Sequence, residues 1–360
     1  MMSTPRLTLK TQLSAAALAG LLALTACGDG GDDAAAEENG DGGEQDFGSA
    51  EVPLSWIMTA EFAGMYFAVD EGYYQEEGFE EVTLVTGGPS ATPSATQIAT
   101  GTGLAGLSNP IDTGSFIDQE GEDAPLKIIG SVFQQNAFAI FSLADENPME
   151  DPEDLTEMSV GVAPNNEGVF YAFLDANDID HDDVDVVSTG GDAQPLINGE
   201  VDAYIGYATN QALSVELEDY EVDYLWFHEH NLPFAAGSII ASEEMIEEER
   251  EALKALLAGT IRGWQDALAD DDAAAETTVE EWGEDQGLDY EHQLLTAERQ
   301  SSLIADEWTE ENGLLTMSDE LIEDTHTAIE MVGYEVPDDL FDLSLLEEVY
   351  EENPDLVGQP

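Results

Sequence analysis

Residues 193–206 read Ala-Gln-Pro-Leu-Ile-Asn-Gly-Glu-Val-Asp-Ala-Tyr-Ile-Gly. The spacing predicts a short helix over Ala193 to Asn198, a stop at Gly199 and a strand over Val201 to Gly206. The same order occurs a hundred residues earlier. Ser94 to Ala99 reads as a helix, Gly101 stops it, and Leu104 to Leu107 is strand-like. A helix, glycine and strand that recur at this distance point to two lobes of similar build. The segments around each copy agree. Leu54 to Met58, Val82 to Val85, Lys127 to Val132 and Phe138 to Leu143 are short apolar runs. Phe62 to Asp70 between the first two has helical spacing and ends at Gly72. After an acidic, proline-bearing stretch, Asp145 to Asp154, the rhythm restarts. Ser159 to Val162, Val184 to Val187, Leu225 to Phe227 and Ser238 to Ala241 read as strands, and Gly168 to Ala176 as a helix. Short strands that alternate with helices argue an α/β fold with a largely parallel sheet. Beyond Ser242 the chain reads helical to about Val349. Leu253, Leu256, Leu257, Ile261, Trp264 and Leu268 lie on one face of Arg250 to Leu268.

The charge balance narrows the function. Among 360 residues, 80 are Asp or Glu and 7 are Lys or Arg, for a net charge of -73. Such a chain repels nucleic acid and anionic lipid, which excludes a nucleic-acid partner. The acidity runs through the whole sequence and reads as adaptation to high salt. The start of the chain is different. Arg6 and Lys10 precede a small apolar run over residues 12–26, too short to span a bilayer, which reads as a secretory signal peptide. Leu24-Thr25-Ala26-Cys27 resembles a bacterial lipobox, so Cys27 is expected to carry a lipid and become the first mature residue. It is the only cysteine, so no intrachain disulfide forms. Residues 28–51 hold seven glycines and nine acids, and with Cys27 make an acidic tether over 27–51. A flexible chain of that length reaches about 25–30 Å.

Several motifs carry little. Gly101-x-Gly103-x-x-Gly106 follows a helix and opens a strand, the reverse of a dinucleotide-binding turn, and is read as a turn. His228-Glu229-His230 has zinc-ligand spacing without an evident third ligand. No Gly-x-Ser-x-Gly nucleophile elbow exists. The informative residues are uncharged. Trp56, Phe62, Tyr66, Phe133, Tyr171, Tyr207 and Phe234 fall near strand ends. Ser90, Asn109, Gln134, Gln135, Asn136, Asn165, Asn166, Thr209, Asn210 and Gln211 flank them. The carboxyl ends of strands form the crevice of open α/β sheets. An aromatic and amide lining suits a flat, hydrogen-bonding solute.

These residues resemble a known family. Trp56 to Gly64, Gly72-Tyr73-Tyr74, Glu77-Gly78-Phe79 and Gly87-Gly88-Pro89-Ser90 look like the start of NMT1/THI5-like substrate-binding proteins, the thiamine-pyrimidine precursor type. Gly199 to Tyr204, Gly206 to Gln211 and Gly263-Trp264 are similar to later segments of that family. The resemblance implies a periplasmic-binding-protein type II fold, in which two α/β lobes joined by two crossovers close on a solute and deliver it to an ABC permease. It places the crossovers near Leu143 to Asn147 and Phe234 to Ser238. Lobe 1 is then 52–144 with 237–360, and lobe 2 is 145–236. An enzymatic branch of the family uses a lysine-bound cofactor and a cysteine-rich motif. Neither is present here, so no enzyme activity and no cofactor are expected.

The mature chain has five basic residues, Lys127, Arg250, Lys254, Arg262 and Arg299, and none falls on an expected cleft loop. Glu61 and Glu167 do, and they can accept from amino groups. The expected solute is therefore a neutral or amino-substituted heterocycle. The alternatives are a zinc receptor through His228 and His230, or a sulfonate or nitrate receptor of the same fold. The expected binding set is Trp56, Glu61, Phe62, Tyr66, Ser90, Asn109, Gln134, Asn136, Asn166, Glu167, Tyr207, Thr209, Asn210 and Phe234. Trp56, Phe62 and Tyr66 would sandwich a ring, and Asn109, Asn166 and Asn210 would read its edge. The mature protein is expected as a monomer, tethered by its lipid to the outer face of the cell membrane.

Overall fold

The computed structural model describes residues 46–88, 91–121 and 124–358. The expected signal peptide and the expected lipidation site Cys27 lie outside them, as does Ser90.

The first lobe is built on two small sheets. β1 (Gly48–Pro53) pairs in parallel with β2 (Phe79–Val85). β10 (Ala236–Ser242) lies between β3 (Gly106–Ser108) and β4 (Leu126–Phe133), antiparallel to both. A hydrogen bond from Leu104 N to Glu51 O, 3.1 Å, links the turn before β3 to β1. The Gly101–Gly106 motif is this turn. Gly103 has φ +98°, and a Cβ there would stand 2.9 Å from Glu51 O. Gly103 admits the close approach of this turn to β1.

The second lobe is one five-stranded sheet in the order β7 (Asp185–Ser188), β6 (Ser159–Val162), β8 (Ala203–Tyr207), β5 (Phe138–Leu143), β9 (Val222–Trp226). β6 is parallel to β7 and β8, while β5 is antiparallel to β8 and β9. The expectation of largely parallel sheets therefore holds only in part. The strand that follows each crossover, β5 in the second lobe and β10 in the first, runs against its neighbours.

Three boundaries differ from the sequence reading. The composition extends the tether through residue 51, yet Gly48 to Glu51 already belong to β1, and Phe47 packs on Phe79 with ring centroids 5.3 Å apart. These small and acidic residues extend because β2 supplies the hydrogen bonds and only alternate positions are covered. Leu54 to Met58, expected as a strand, is an irregular loop. It is apolar because it forms part of a cleft wall. The first crossover is residues 134–137, between β4 and β5, not 143–147. The proline-bearing stretch 145–154 connects β5 to β6 inside the second lobe and misleads by its turn composition. The second crossover, residues 227–235, ends where expected, at the start of β10.

The helices that matter to the site are α1 (Ala63–Asp70), α2 (Ser94–Ala99), α3 (Pro110–Glu120), α4 (Glu167–Ala176), α5 (Gln211–Glu216), α6 (Arg250–Ala269), α7 (Tyr290–Ile304), α8 (Asp319–Val332) and α9 (Ser344–Glu352). α6 buries Leu253, Leu256, Leu257, Ile261 and Trp264 against the first lobe. Its closest approach is to α1, where Gly263 faces Gly64. A Cβ on Gly263 would lie 2.0 Å from Gly64 O. α9 is tied to α6 by Lys254, which meets Glu352 at 2.7 Å, and by Arg250, which meets Glu348 at 2.7 Å. α8 packs against both α3 and α4, so it touches both lobes.

Candidate functional site

Between the lobes lies a cavity of about 170 Å³. Its walls are the loops that leave the strands. The loop after β1 gives Ser55, Trp56 and Glu61. The β3–α3 junction gives Asn109, Ile111 and Asp112. The start of α4 gives Asn165, Asn166 and Val169. The β8–α5 junction gives Tyr207, Thr209, Asn210 and Gln211. The first crossover gives Ala137, and the strand ends beside the two crossovers give Phe133, Phe138, Ala236 and Gly237. The local sequence explains several placements. Asn109 caps α3, accepting from Ile111 N at 2.8 Å, and Pro110 occupies the first helical turn where no N–H is needed. Gly237 has φ +61°, and a Cβ there would meet the Phe133 ring at 2.8 Å. The glycine leaves room for that ring in the cavity wall.

Of the expected residues, Trp56, Glu61, Asn109, Asn166, Tyr207, Thr209 and Asn210 line the cavity together. Five others do not because they are buried elsewhere. Phe62 belongs to the first-lobe core. Tyr66 donates to Thr59 O at 2.9 Å and stacks on Trp282. Gln134 donates to Thr316 O at 3.0 Å. Asn136 reaches Leu232 O and Phe234 O, both at 3.4 Å, and joins the two crossovers. Phe234 packs behind Phe138. Glu167 sits at the first turn of α4 and does not line the cavity. The expected sandwich of Trp56, Phe62 and Tyr66 is therefore corrected. The aromatic walls are Trp56, Phe133, Phe138 and Tyr207. Phe138 and Tyr207 meet edge to face with centroids 4.6 Å apart.

The electrostatics are those of a cavity that holds carboxyls and no cation. Glu61 is pushed up to about 7 by burial. Asp112 lines the cavity and is exposed to solvent. The same desolvation raises its carboxyl above the ordinary range. The Tyr207 hydroxyl is raised by burial, then by the charges of Glu61 and Asp112. Every basic side chain among the described residues is engaged away from this cavity. Lys127 pairs with Asp339 and Glu243, Arg262 with Glu76 and Glu77, and Arg299 with Glu216. Arg250 and Lys254 are held by α9.

One helix that the sequence reading did not connect to the site grips both of its sides. On α7, Gln293 accepts from Ala60 N at 2.9 Å and Gln300 donates to Ala60 O at 2.8 Å. Thr296 donates to Thr209 O at 2.9 Å, and Arg299 to Ala208 O at 2.7 Å. The backbone beside Glu61 and the backbone of the Thr209 loop are thus referenced to the same helix.

His228 and His230 stand at the second crossover, outside the cavity lining. His230 Nδ1 lies 2.9 Å from Trp226 O, and burial holds His228 below the ordinary imidazole range. Among the described residues no three His, Cys, Asp or Glu side chains gather in a way that could hold a metal.

Residues 59–274 match the family described as NMT1/THI5 like. The chain belongs to that family. A formylaminopyrimidine-binding protein of Halalkalibacterium halodurans is 24% identical over 231 residues, covering 63% of this chain and 68% of that protein. The riboflavin-binding protein RibY of Chloroflexus aurantiacus is 26% identical over 241 residues, covering 64% of this chain and 65% of its own length. Among solved structures, a periplasmic sulfonate-binding protein of Methylobacillus flagellatus superposes with a TM-score of 0.62 at 12% identity, covering 86% of this chain and 96% of that one. The fold is that of the periplasmic binding proteins, with two α/β lobes and two crossovers. Both sequence relatives are named for binding, which agrees with a solute receptor and not an enzyme.

Proposed function

We propose that this chain captures a small, single-ring, amino-substituted heterocycle between its lobes and passes it to the permease of an ABC importer. One observation carries the choice of solute: the cavity is lined by two carboxyls, both raised by desolvation, and by no lysine or arginine. A sulfonate or nitrate would find no guanidinium or ammonium and would meet negative charge instead. An amino group next to a ring nitrogen presents a donor and an acceptor side by side. A carboxyl that shares one proton with the ligand matches both. Trp56, Phe133, Phe138 and Tyr207 offer faces and edges to the ring. Asn166 and Asn210 line the same cavity and carry amides able to donate to or accept from polar ring substituents. A cavity of about 170 Å³ suits one ring better than a fused tricycle, since drug-sized ligands occupy roughly 300–1,000 Å³.

The relatives support the class, one being named for a formylaminopyrimidine. Signal-peptide export and lipidation at Cys27 complete the reading, since a receptor of this kind works on the outer face of the membrane as a tethered monomer. The test is calorimetric titration of the purified chain with 4-amino-5-hydroxymethyl-2-methylpyrimidine, taurine and nitrate. Micromolar or tighter binding of the pyrimidine alone is expected. Tight binding of taurine or nitrate with none of the pyrimidine overturns the proposal.

A further inference from the structure

His292, Thr296 and Arg299 follow one another along one face of α7, at spacings of four and three residues. They address three consecutive carbonyls of the second lobe. Arg299 donates to Ala208 O at 2.7 Å, Thr296 donates to Thr209 O at 2.9 Å, and His292 Nε2 lies 3.2 Å from Asn210 O. The loop that carries these carbonyls gives Tyr207, Thr209, Asn210 and Gln211 to the inner cavity. α7 itself belongs to the first lobe, where Ala297, Leu303 and Ile304 join the core. The second-lobe wall of the cavity therefore leans on a helix of the first lobe.

Arg299 differs from the other two. Thr296 is a neutral donor that shares its hydroxyl with His292 O on its own helix. Arg299 reaches two further anchors in the second lobe, Glu216 at 2.7 Å and the Tyr224 hydroxyl at 2.9 Å. Tyr224 donates to the other Glu216 oxygen at 2.5 Å, which closes the cluster. The other four Lys and Arg side chains among the described residues pair within the first lobe. Arg299 is the one that crosses the lobe boundary. It stands one helical turn, about 6 Å, before Leu303, whose carbonyl accepts from Gln134 N of the first crossover at 2.8 Å. A point this close to the pivot moves little when the lobes part, so the grip does not depend on closure.

We propose that Arg299 is a positioning residue for solute capture: from outside the cavity it holds the loop 208–210 so that Thr209 and Asn210 face the solute before it arrives. The inference rests on the reading of the inner cavity as the solute site, and not on the class of solute. The guanidinium fork serves a carbonyl, a hydroxyl and a carboxylate at once, which a single ammonium does not match. A wall that is already ordered loses little freedom on binding, so loosening it lowers affinity without removing any group that touches the solute.

Hydrogen exchange and titration calorimetry on the full chain test this, with 4-amino-5-hydroxymethyl-2-methylpyrimidine as the probe. Ala208 N donates to Ala137 O and Asn210 N to Tyr207 O, so exchange at these two amides without ligand reports the loop. Arg299→Met should speed exchange at both, and raise the dissociation constant, each by on the order of tenfold. Arg299→Lys should recover part of both effects. Arg262→Met is the control. It removes the same charge from a pair with Glu76 and Glu77 inside the first lobe, and should leave both readouts within about twofold of the parent. If Arg299→Met does not fold, Glu216→Gln removes the ion pair from the other lobe and should give the same changes in smaller measure. Unchanged exchange, faster exchange with an unchanged dissociation constant, or an equal effect from Arg262→Met overturns the proposal. If the parent does not bind the probe, the heterocycle reading falls alone, and exchange at the two amides decides this inference.

Discussion

Asn109 donates its side-chain amide to the Tyr207 hydroxyl at 3.0 Å and so joins the first lobe to the second across the cavity. The same amide group's oxygen caps α3, which fixes the donor in place. Tyr207 in turn is held edge-on by Phe138. The bond exists only when the lobes are together, so it favours the closed form. Tyr207→Phe keeps the ring contact and deletes the bond. A neutral hydrogen bond of this kind contributes about 0.5–1.5 kcal/mol, so the variant is expected to bind the pyrimidine roughly 2- to 12-fold more weakly. Its melting temperature without ligand should change little. Titration calorimetry and a thermal melt check both parts. An unchanged dissociation constant would show that the bond does not contribute to closure.

Glu61 makes both stability and binding depend on pH. Its carboxyl is raised from an ordinary 4.5 to about 7 by burial. The folded chain then holds a proton that the unfolded chain has released, so stability falls as pH rises from about 4.5 through 7 and stays lower above that. Glu61→Gln removes this slope. The variant should match the parent near pH 4 and exceed it at pH 8 by on the order of 1–3 kcal/mol. Denaturant melts at the two pH values measure the difference. Affinity has the same sign. The carboxyl and the aminopyrimidine share one proton, so above pH 7 binding takes up a proton and weakens, by up to about tenfold per pH unit. A dissociation constant that is flat from pH 6 to 9 would exclude Glu61 as the partner.

Much of this was legible in the sequence because the signal is local. β6 over Ser159–Val162 and α2 over Ser94–Ala99 lie where the residues place them. Asn109, Asn166 and Asn210 line the cavity because amides that follow strands fall at its rim, although Asn109 serves as a helix cap as well. The misreadings have physical causes. Phe62 and Tyr66 are aromatics at helical spacing, a pattern that packing explains as readily as binding does. Asp112 could not be singled out among 80 acids, since its distinction is its place on the cavity wall, which depends on how the lobes meet. Gln293, Thr296 and Gln300 are ordinary polar residues on a helix face. Only the tertiary fold brings them beside Ala60 and Thr209. The crossover at 134–137 is four residues of amides and alanine with no turn signal, whereas the prolines that suggested a boundary sit in a surface connection.

The α1–α6 crossing predicts a large effect from one methyl group. Gly263→Ala would place a Cβ 2.0 Å from Gly64 O, and Trp264 already fills the space over Gly64. The helices must separate, because the obstacle is backbone and not the end of a flexible side chain. Overpacking of this kind costs roughly 3 kcal/mol, against about 1 kcal/mol returned by the better helix propensity of alanine. α1 follows directly from Glu61, so displacement should also weaken pyrimidine binding. A melt and a titration on the same variant check the two effects. A variant as stable as the parent would show that α1 can move without cost.

Salt should stabilise the fold strongly. Five of the seven Lys and Arg residues lie after residue 26, and each is already matched to at least one carboxylate, with Lys254 meeting Glu251, Glu348 and Glu352. No further ion pairs are available to offset the remaining acids, so mutual repulsion acts on most of the 80 carboxyl side chains. Exposed charges of this kind are relieved by screening, whose length falls from about 10 Å at 0.1 M to 3 Å or less at 1 M and above. The melting temperature is therefore expected to rise by on the order of 10 °C between 0.1 and 3 M potassium chloride. Potassium sulfate at equal ionic strength separates screening from salting-out, because sulfate also strengthens apolar burial. If chloride gives no rise and only sulfate does, repulsion among the carboxylates is not what limits stability.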